Sequence, residues 1–324
     1  MLNLSDLRQK ADRQLDFAPY APRQLVLIHT AVSLGASLVV ALVNLLFASM
    51  IENTGGLSGL GTRSMLETAQ STLELAVTAA LPFWNISLTR AALCWARGEL
   101  AEPPTLLEGF RRFRSVLGLK LLTAFLLMGL GLAVFYIGSS VFMLTPFADP
   151  LVAALNPIMQ QSGVLAPDAL TEEAVAQVVN LAKPLFIFLG LVFAAVVIPL
   201  WYRVRFADFA VMDGCRGRVS LVESIRITKK KCLQIFKIDL SFWWFYLLQA
   251  LSVTLCYGDS ILPAMGVALP MSAEVAYIAF MALGSICQGI LLWFYQAKVS
   301  VTYALAYETL SAQSELKTEN GYFV

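Results

Sequence analysis

The chain has 324 residues, 58% of them hydrophobic and 14% charged, with a mean hydropathy of +0.71. A soluble domain is about 45–50% apolar and about 25% charged, so water-soluble domains are excluded, as is a disordered chain, which needs low hydrophobicity and high net charge. The net charge of +1 leaves no general basic field for nucleic acid. What remains is an all-α bundle with several membrane spans.

The N-terminus reads as a short amphipathic helix, with Ser5 as its cap and Leu4, Leu7, Ala11 and Leu15 as its apolar stripe. No small-residue cleavage site follows the first apolar run, so no signal peptide is expected. Spans need about 20 apolar residues. Six are read: Leu25–Ile51, Ser71–Trp95, Leu121–Leu144, Leu185–Trp201, Leu240–Tyr257 and Val275–Tyr295, the last continuing helically to about Leu310. The second is the weakest, because it carries Glu74, Asn85 and Arg90. Strand-length alternation, the mark of a barrel, is absent.

Charge sets the orientation, because Lys and Arg collect in cytoplasmic segments. Of the 23 basic residues, 21 fall before span one, between spans two and three (counting Arg90 at the end of span two), between four and five, or after six; Arg63 and Lys183 fall on the other face. Both termini are therefore expected in the cytoplasm, with the chain in the cytoplasmic membrane.

Similarity recurs at a spacing near 115 residues. Thr105-Leu106-Leu107-Glu108 and Ser220-Leu221-Val222-Glu223 both read as capping boxes opening basic amphipathic helices. Leu106, Phe110, Phe113 and Leu117 form one stripe, and Leu221, Ile225, Cys232 and Ile235 the other. Pro82-Phe83-Trp84, Pro199-Leu200-Trp201 and Leu291-Leu292-Trp293 hold matching places in spans two, four and six, followed by Arg90, Arg205 and Lys298. Three parallel units of interfacial helix plus two spans are expected, at about 5–97, 105–214 and 220–310, with a tail at 311–324. Pro82, Trp84, Pro199, Trp201 and Asp239 are read as structural, Asp239 as partner of a cytoplasmic-side Arg or Lys.

These residues also carry a resemblance. Leu7-Arg8 with Ala11 and Leu15, Arg97-Gly98-Glu99 with Gly109-Phe110 and Phe113, and Glu223-Ser224-Ile225 leading to Phe236 and Asp239-Leu240-Ser241-Phe242 resemble domain-of-unknown-function family 975. Tyr257-Gly258-Asp259 departs from that family's Gly-rich ending. The resemblance implies a multi-pass bacterial inner-membrane protein and no catalytic residues. A more distant similarity is to the membrane domains attached to some glycerophosphodiester phosphodiesterases.

Chemistry is sparse. Gly56-Leu57-Ser58-Gly59 matches a rhomboid-type motif, but the one histidine, His29, lies at the opposite end of span one, about 30 Å away, so no serine–base pair forms. Cys94, Cys215, Cys232, Cys256 and Cys287 are expected as free thiols, with no close ligand spacing for a metal. No catalytic residue and no cofactor is expected. Glu74, Asn44, Asn85 and Gln288 are candidates for a polar path within the membrane. Arg111, Arg112 and Arg114, with Lys229, Lys230 and Lys231, are candidates for contact with anionic lipid or an unknown protein partner. The outer segment Pro146–Pro184 holds a helix from Thr171 to Ala182. The function read from this is a non-enzymatic scaffold, partner subunit or membrane-stress component. A transporter or exporter of a small molecule or lipid is the alternative, and a lipid-processing enzyme comes last.

Overall fold

The structure is a computed structural model describing residues 3–18, 22–53, 60–160, 172–267, 270 and 272–319. Every regular element among them is helical. The Gly56–Gly59 motif lies outside the described residues.

The chain forms two compact units, residues 1–120 with 205–324, and residues 121–204. In the first, α1 (Leu4–Asp16) buries Leu7 and Ala11. Its N-cap is Asn3, and Ser5 lies inside the first turn with its hydroxyl donating to Asn3 Oδ1 at 3.1 Å. The helix thus opens two residues before the expected cap, and Asn3 makes no side-chain capping hydrogen bond. Helix α2 (Pro22–Asn53) starts with proline at its first position, where a missing N–H does no harm. Helix α3 (Leu60–Arg97) follows with Pro82 inside it.

The segment expected as one amphipathic helix from Thr105 is broken into a 3-10 turn (Pro103–Leu107) and α4 (Glu108–Arg111), and α5 (Phe113–Met143) begins beyond Arg112. Thr105 sits within the turn, where its Oγ1 accepts from the N–H of Glu102 at 3.2 Å. It is thus the third residue of a capping box whose cap is Glu102, and not the cap itself. Pro103 and Pro104 start the turn two residues early.

In the second unit α5 continues to Met143, and a turn at Pro146–Ala148 leads to α6 (Asp149–Gln160). Helix α7 (Glu172–Val204) carries Pro184 and Pro199 within it. The outer helix expected near Thr171–Ala182 is the start of α7. Gly138 on α5 faces Leu189 on α7 so closely that an added Cβ would sit 2.6 Å from Leu189 Cδ2. Phe142 and Phe188 follow at a centroid distance of 5.9 Å.

Back in the first unit come α8 (Ala207–Met212), α9 (Gly217–Thr228), α10 (Cys232–Ser241), α11 (Trp243–Cys256), α12 (Gly258–Ala264) and α13 (Ala273–Glu319). Ser220 is not a cap either. It is buried inside α9 and donates to Gly217 O at 2.7 Å, and Arg216 caps the helix in extended conformation. The start is fixed at Gly217 because a Cβ there would lie 2.5 Å from Ser115 O and 2.7 Å from Leu119 N, so only glycine lets α9 seat on α5. The expected stripe from Leu221 to Ile235 is interrupted at Lys230, whose φ of 63° ends α9.

Among the described residues, four helical stretches are long and apolar enough to cross a membrane: Pro22–Ile51, Phe113–Met143, Val179–Met212 and Val275–Ser314. The pair α10 and α11, bent by 66° at Phe242, makes a fifth if counted as one span. Their flanks expose Val39, Leu46, Phe125, Leu132, Ile187, Leu191, Leu251 and Ile286. Apolar exposure on this scale marks a membrane-embedded protein. Helix α3 is long enough, at 38 residues or about 57 Å, but its composition falls short of that standard.

Candidate functional site

A buried cluster lies where the end of α3 meets α8 and α13, among Ala91, Ala92, Trp95, Ala207, Ala210, Val211, Ala304 and Ala306. Small residues let the backbones approach closely. Helices α3 and α8 end in the same way. Gly98 and Gly214 are left-handed, with φ of 72° and 114°. The N–H of Glu99 donates to Cys94 O at 2.8 Å, and that of Cys215 to Ala210 O at 3.0 Å. Both are the six-to-one closure of a glycine-terminated helix.

The residue before each glycine is charged, and the two meet. Arg97 Nη2 lies 2.7 Å from Asp213 Oδ1 and 2.5 Å from Glu308 Oε1 on α13. Tyr307 donates its hydroxyl to Asp213 Oδ2 at 3.3 Å. Burial works against the Arg97 charge, but hydrogen bonds to Asp213 and Glu308 outweigh it and hold the guanidinium above its ordinary pKa. Nearby, burial pushes the Cys215 thiol up, and Glu223 and Asp213 add to the shift.

A second cluster surrounds the bend at Phe242. Asp239 accepts from the hydroxyls of Tyr246, at 3.0 Å, and Tyr303, and lies 3.6 Å from Arg205. Arg205 also stacks over the Tyr303 ring at 4.6 Å. Arg90 and Lys298, the other two basic residues that follow the tryptophan positions, also face carboxylates: Glu99 at 3.9 Å and Asp12 at 2.7 Å.

The six basic candidates do not behave alike. Arg112 is half-buried and donates to Val211 O at 3.0 Å, which ties the α4–α5 joint to α8. Arg111 is exposed and pairs with Glu108 at 2.9 Å. Arg114, Lys229 and Lys230 are exposed, and Lys231 is half-buried.

Of the four polar-path candidates, two meet. Asn44 Nδ2 donates to Glu74 Oε1 at 2.5 Å, joining α2 to α3. Asn85 is exposed and Gln288 half-buried. None of the four lines any of three cavities of 680, 450 and 340 Å³.

Trp84 donates Nε1–H to His29 O at 3.1 Å and stacks on the His29 ring at 5.4 Å. Pro82 lies two residues before it. Pro199 and Trp201 hold the corresponding places near the end of α7, with Trp201 46% exposed. Below Trp84, Ser87 Oγ accepts from the N–H of Gly109 at 2.9 Å. A Cβ at Gly109 would lie 1.9 Å from Phe83 O, so this joint also requires glycine.

Among the described residues no group of three His, Cys, Asp or Glu side chains is placed to hold a metal. Comparison of the chain with protein-family models, with curated proteins and with solved structures finds no match.

Proposed function

We propose that the chain is a six-span scaffold or partner subunit of the cytoplasmic membrane, without catalytic role, whose basic end faces the cytoplasm and holds anionic lipid. In this reading α3 is the remaining span, because it supplies the crossing that keeps every basic segment on one face. Three units of an amphipathic segment plus two spans build the chain. The paired glycine closures at Gly98 and Gly214 support the repeat, as do the matching i,i+3 ion pairs Glu108–Arg111 and Glu223–Arg226, at 2.9 and 2.7 Å.

Lys230 is the observation that carries the lipid contact. A lysine in the left-handed region costs about 1–2 kcal/mol, and glycine would remove that strain. Strained residues mark functional positions, and this one holds a charge at an exposed break between two helices. The scaffold reading is favoured over a transporter because Asn44 spends its amide N–H on Glu74 and cavities of 680 and 450 Å³ among the described residues are lined almost wholly by apolar side chains.

The test is lipid retention by the purified protein in native mass spectrometry. Replacing Arg111, Arg114, Lys229, Lys230 and Lys231 with glutamine lowers retained anionic lipid and leaves neutral lipid unchanged. Unchanged anionic lipid contradicts the reading. Arg112 stays in place, because removing it would unpin α5 from α8.

A further inference from the structure

Two apolar grooves flank one ridge of α13. The larger, 680 Å³, runs between α11, α12 and α13 and includes Leu251, Leu262, Phe280, Ile290 and Phe294. The smaller, 450 Å³, runs between α2 and α13 and includes Leu34, Leu38, Ile286, Ile290 and Trp293. Ile290 belongs to both. Ile286, Ile290 and Phe294 recur every four residues, so they form one ridge along the helix, and they are 59%, 52% and 46% exposed.

No charged side chain lines either groove. The hydroxyls of Ser252 and Thr254 in the larger one are bonded to their own helix, at Leu248 O and Ala250 O, both 2.9 Å. Both volumes fall in the range of about 300–1,000 Å³ usual for small-molecule sites. Trp293 to Ala282 covers about 16 Å of helix, close to half of the about 30 Å hydrocarbon core. The smaller groove therefore matches the depth of one leaflet, and the larger, lined on α13 from Phe280 to Tyr295, is somewhat longer at about 22 Å.

A cation stands at the head of the ridge. The Arg23 guanidinium lies 5.9 Å from the centroid of the Phe294 ring. Arg23 is exposed, and among the described residues no carboxylate lies within ion-pair distance of it. Lys298, one turn beyond Phe294, is already matched by Asp12 at 2.7 Å. Trp244 packs edge-on to Tyr295 at 4.4 Å beside the larger groove, an aromatic pair of the kind found at a membrane interface.

We propose that Arg23 and the two grooves form a site for one anionic phospholipid of the surrounding bilayer. Its two acyl chains lie on either side of Ile290, and its phosphate group meets Arg23. The proposal rests on the membrane-embedded character of the chain and is independent of the basic clusters at Arg111–Arg114 and Lys229–Lys231.

The test uses the full chain, purified in neutral detergent and titrated with phosphatidylglycerol or phosphatidylcholine of equal chain length, read by native mass spectrometry. One phosphatidylglycerol is retained at low lipid ratio. Arg23→Gln lowers its retention about fivefold, the value of one basic residue at a lipid surface, and Arg23→Lys keeps it. Leu251→Trp and Leu38→Trp narrow one groove each from exposed wall positions and lower retention of both lipids. The five-residue glutamine variant of the basic clusters keeps this first lipid, so failure of this site and failure of the cluster contact are read separately. Full phosphatidylglycerol preference in Arg23→Gln overturns the proposal. So does unchanged retention in both tryptophan variants, or a lipid-free dimer in place of the lipid-bound chain.

Discussion

Arg97 and Asp213 each occupy the last position before a left-handed glycine, at the ends of α3 and α8, and their side chains meet at 2.7 Å. The sequence places them 116 residues apart. Glu308, inside α13, completes the contact at 2.5 Å, so one guanidinium ties the ends of α3 and α8 to α13.

Arg97→Gln leaves Asp213 and Glu308 facing each other without a cation. The side chains are about a quarter to a third exposed, so solvent screens part of the effect. The expected loss is about 1–2 kcal/mol, measured as thermal unfolding in detergent. Asp213→Asn in the Arg97→Gln background costs little more, because the two changes remove one interaction.

Glycine-to-alanine substitutions separate the joints from the ordinary helix. Gly109→Ala drives a methyl into Phe83 O and lowers stability by about 1–3 kcal/mol. Gly118→Ala in α5 meets open space and raises stability by about 0.5–1 kcal/mol. Equal effects in the two variants would show that the α4 joint does not seat on α3 in this way.

Lys230→Gly separates stability from function. Removing the left-handed strain raises stability by about 1 kcal/mol, and the lost charge lowers anionic-lipid retention. A variant that is less stable would show that the lysine side chain supports the fold.

Cys215 reacts slowly with maleimides. Burial first, then Glu223 and Asp213, hold its thiol above the ordinary pKa, so the thiolate fraction at a given pH is lower than that of a free thiol. The rate against pH should rise at more alkaline values than for a cysteine placed at exposed Val222. Coincident profiles would contradict the burial.

The long apolar runs were legible in the sequence because lipid imposes a simple rule: the backbone must satisfy itself over about 20 residues. Cap positions were not. Thr105 and Ser220 have the right local pattern, but Pro103 starts a turn earlier and Gly217 fixes α9 by contact with α5, and neither fact is local. The break at Lys230 was hidden for the same reason, since lysine is not a residue expected at positive φ. The sequence marks Asn44 and Glu74 singly, whereas their pairing depends on the register of α2 against α3. The Arg97, Asp213 and Glu308 contact carried a faint signal: a charge directly before Gly98 and before Gly214, at the repeat spacing, each after alanine-containing turns.

The six-span topology turns on α3, whose crossing makes five spans into six and puts the basic segments on one side. The direct measurement is cysteine labelling of intact cells in a cysteine-free background, with single cysteines at Ser64 and Leu100, both exposed near opposite ends of α3. Arg218 and Ser272, also exposed, serve as inner and outer references. Ser220 is unsuitable because it is buried. The account predicts that an impermeant maleimide labels positions 64 and 272 and reaches 100 and 218 only after permeabilisation. Labelling of 64 and 100 from the same side would contradict it.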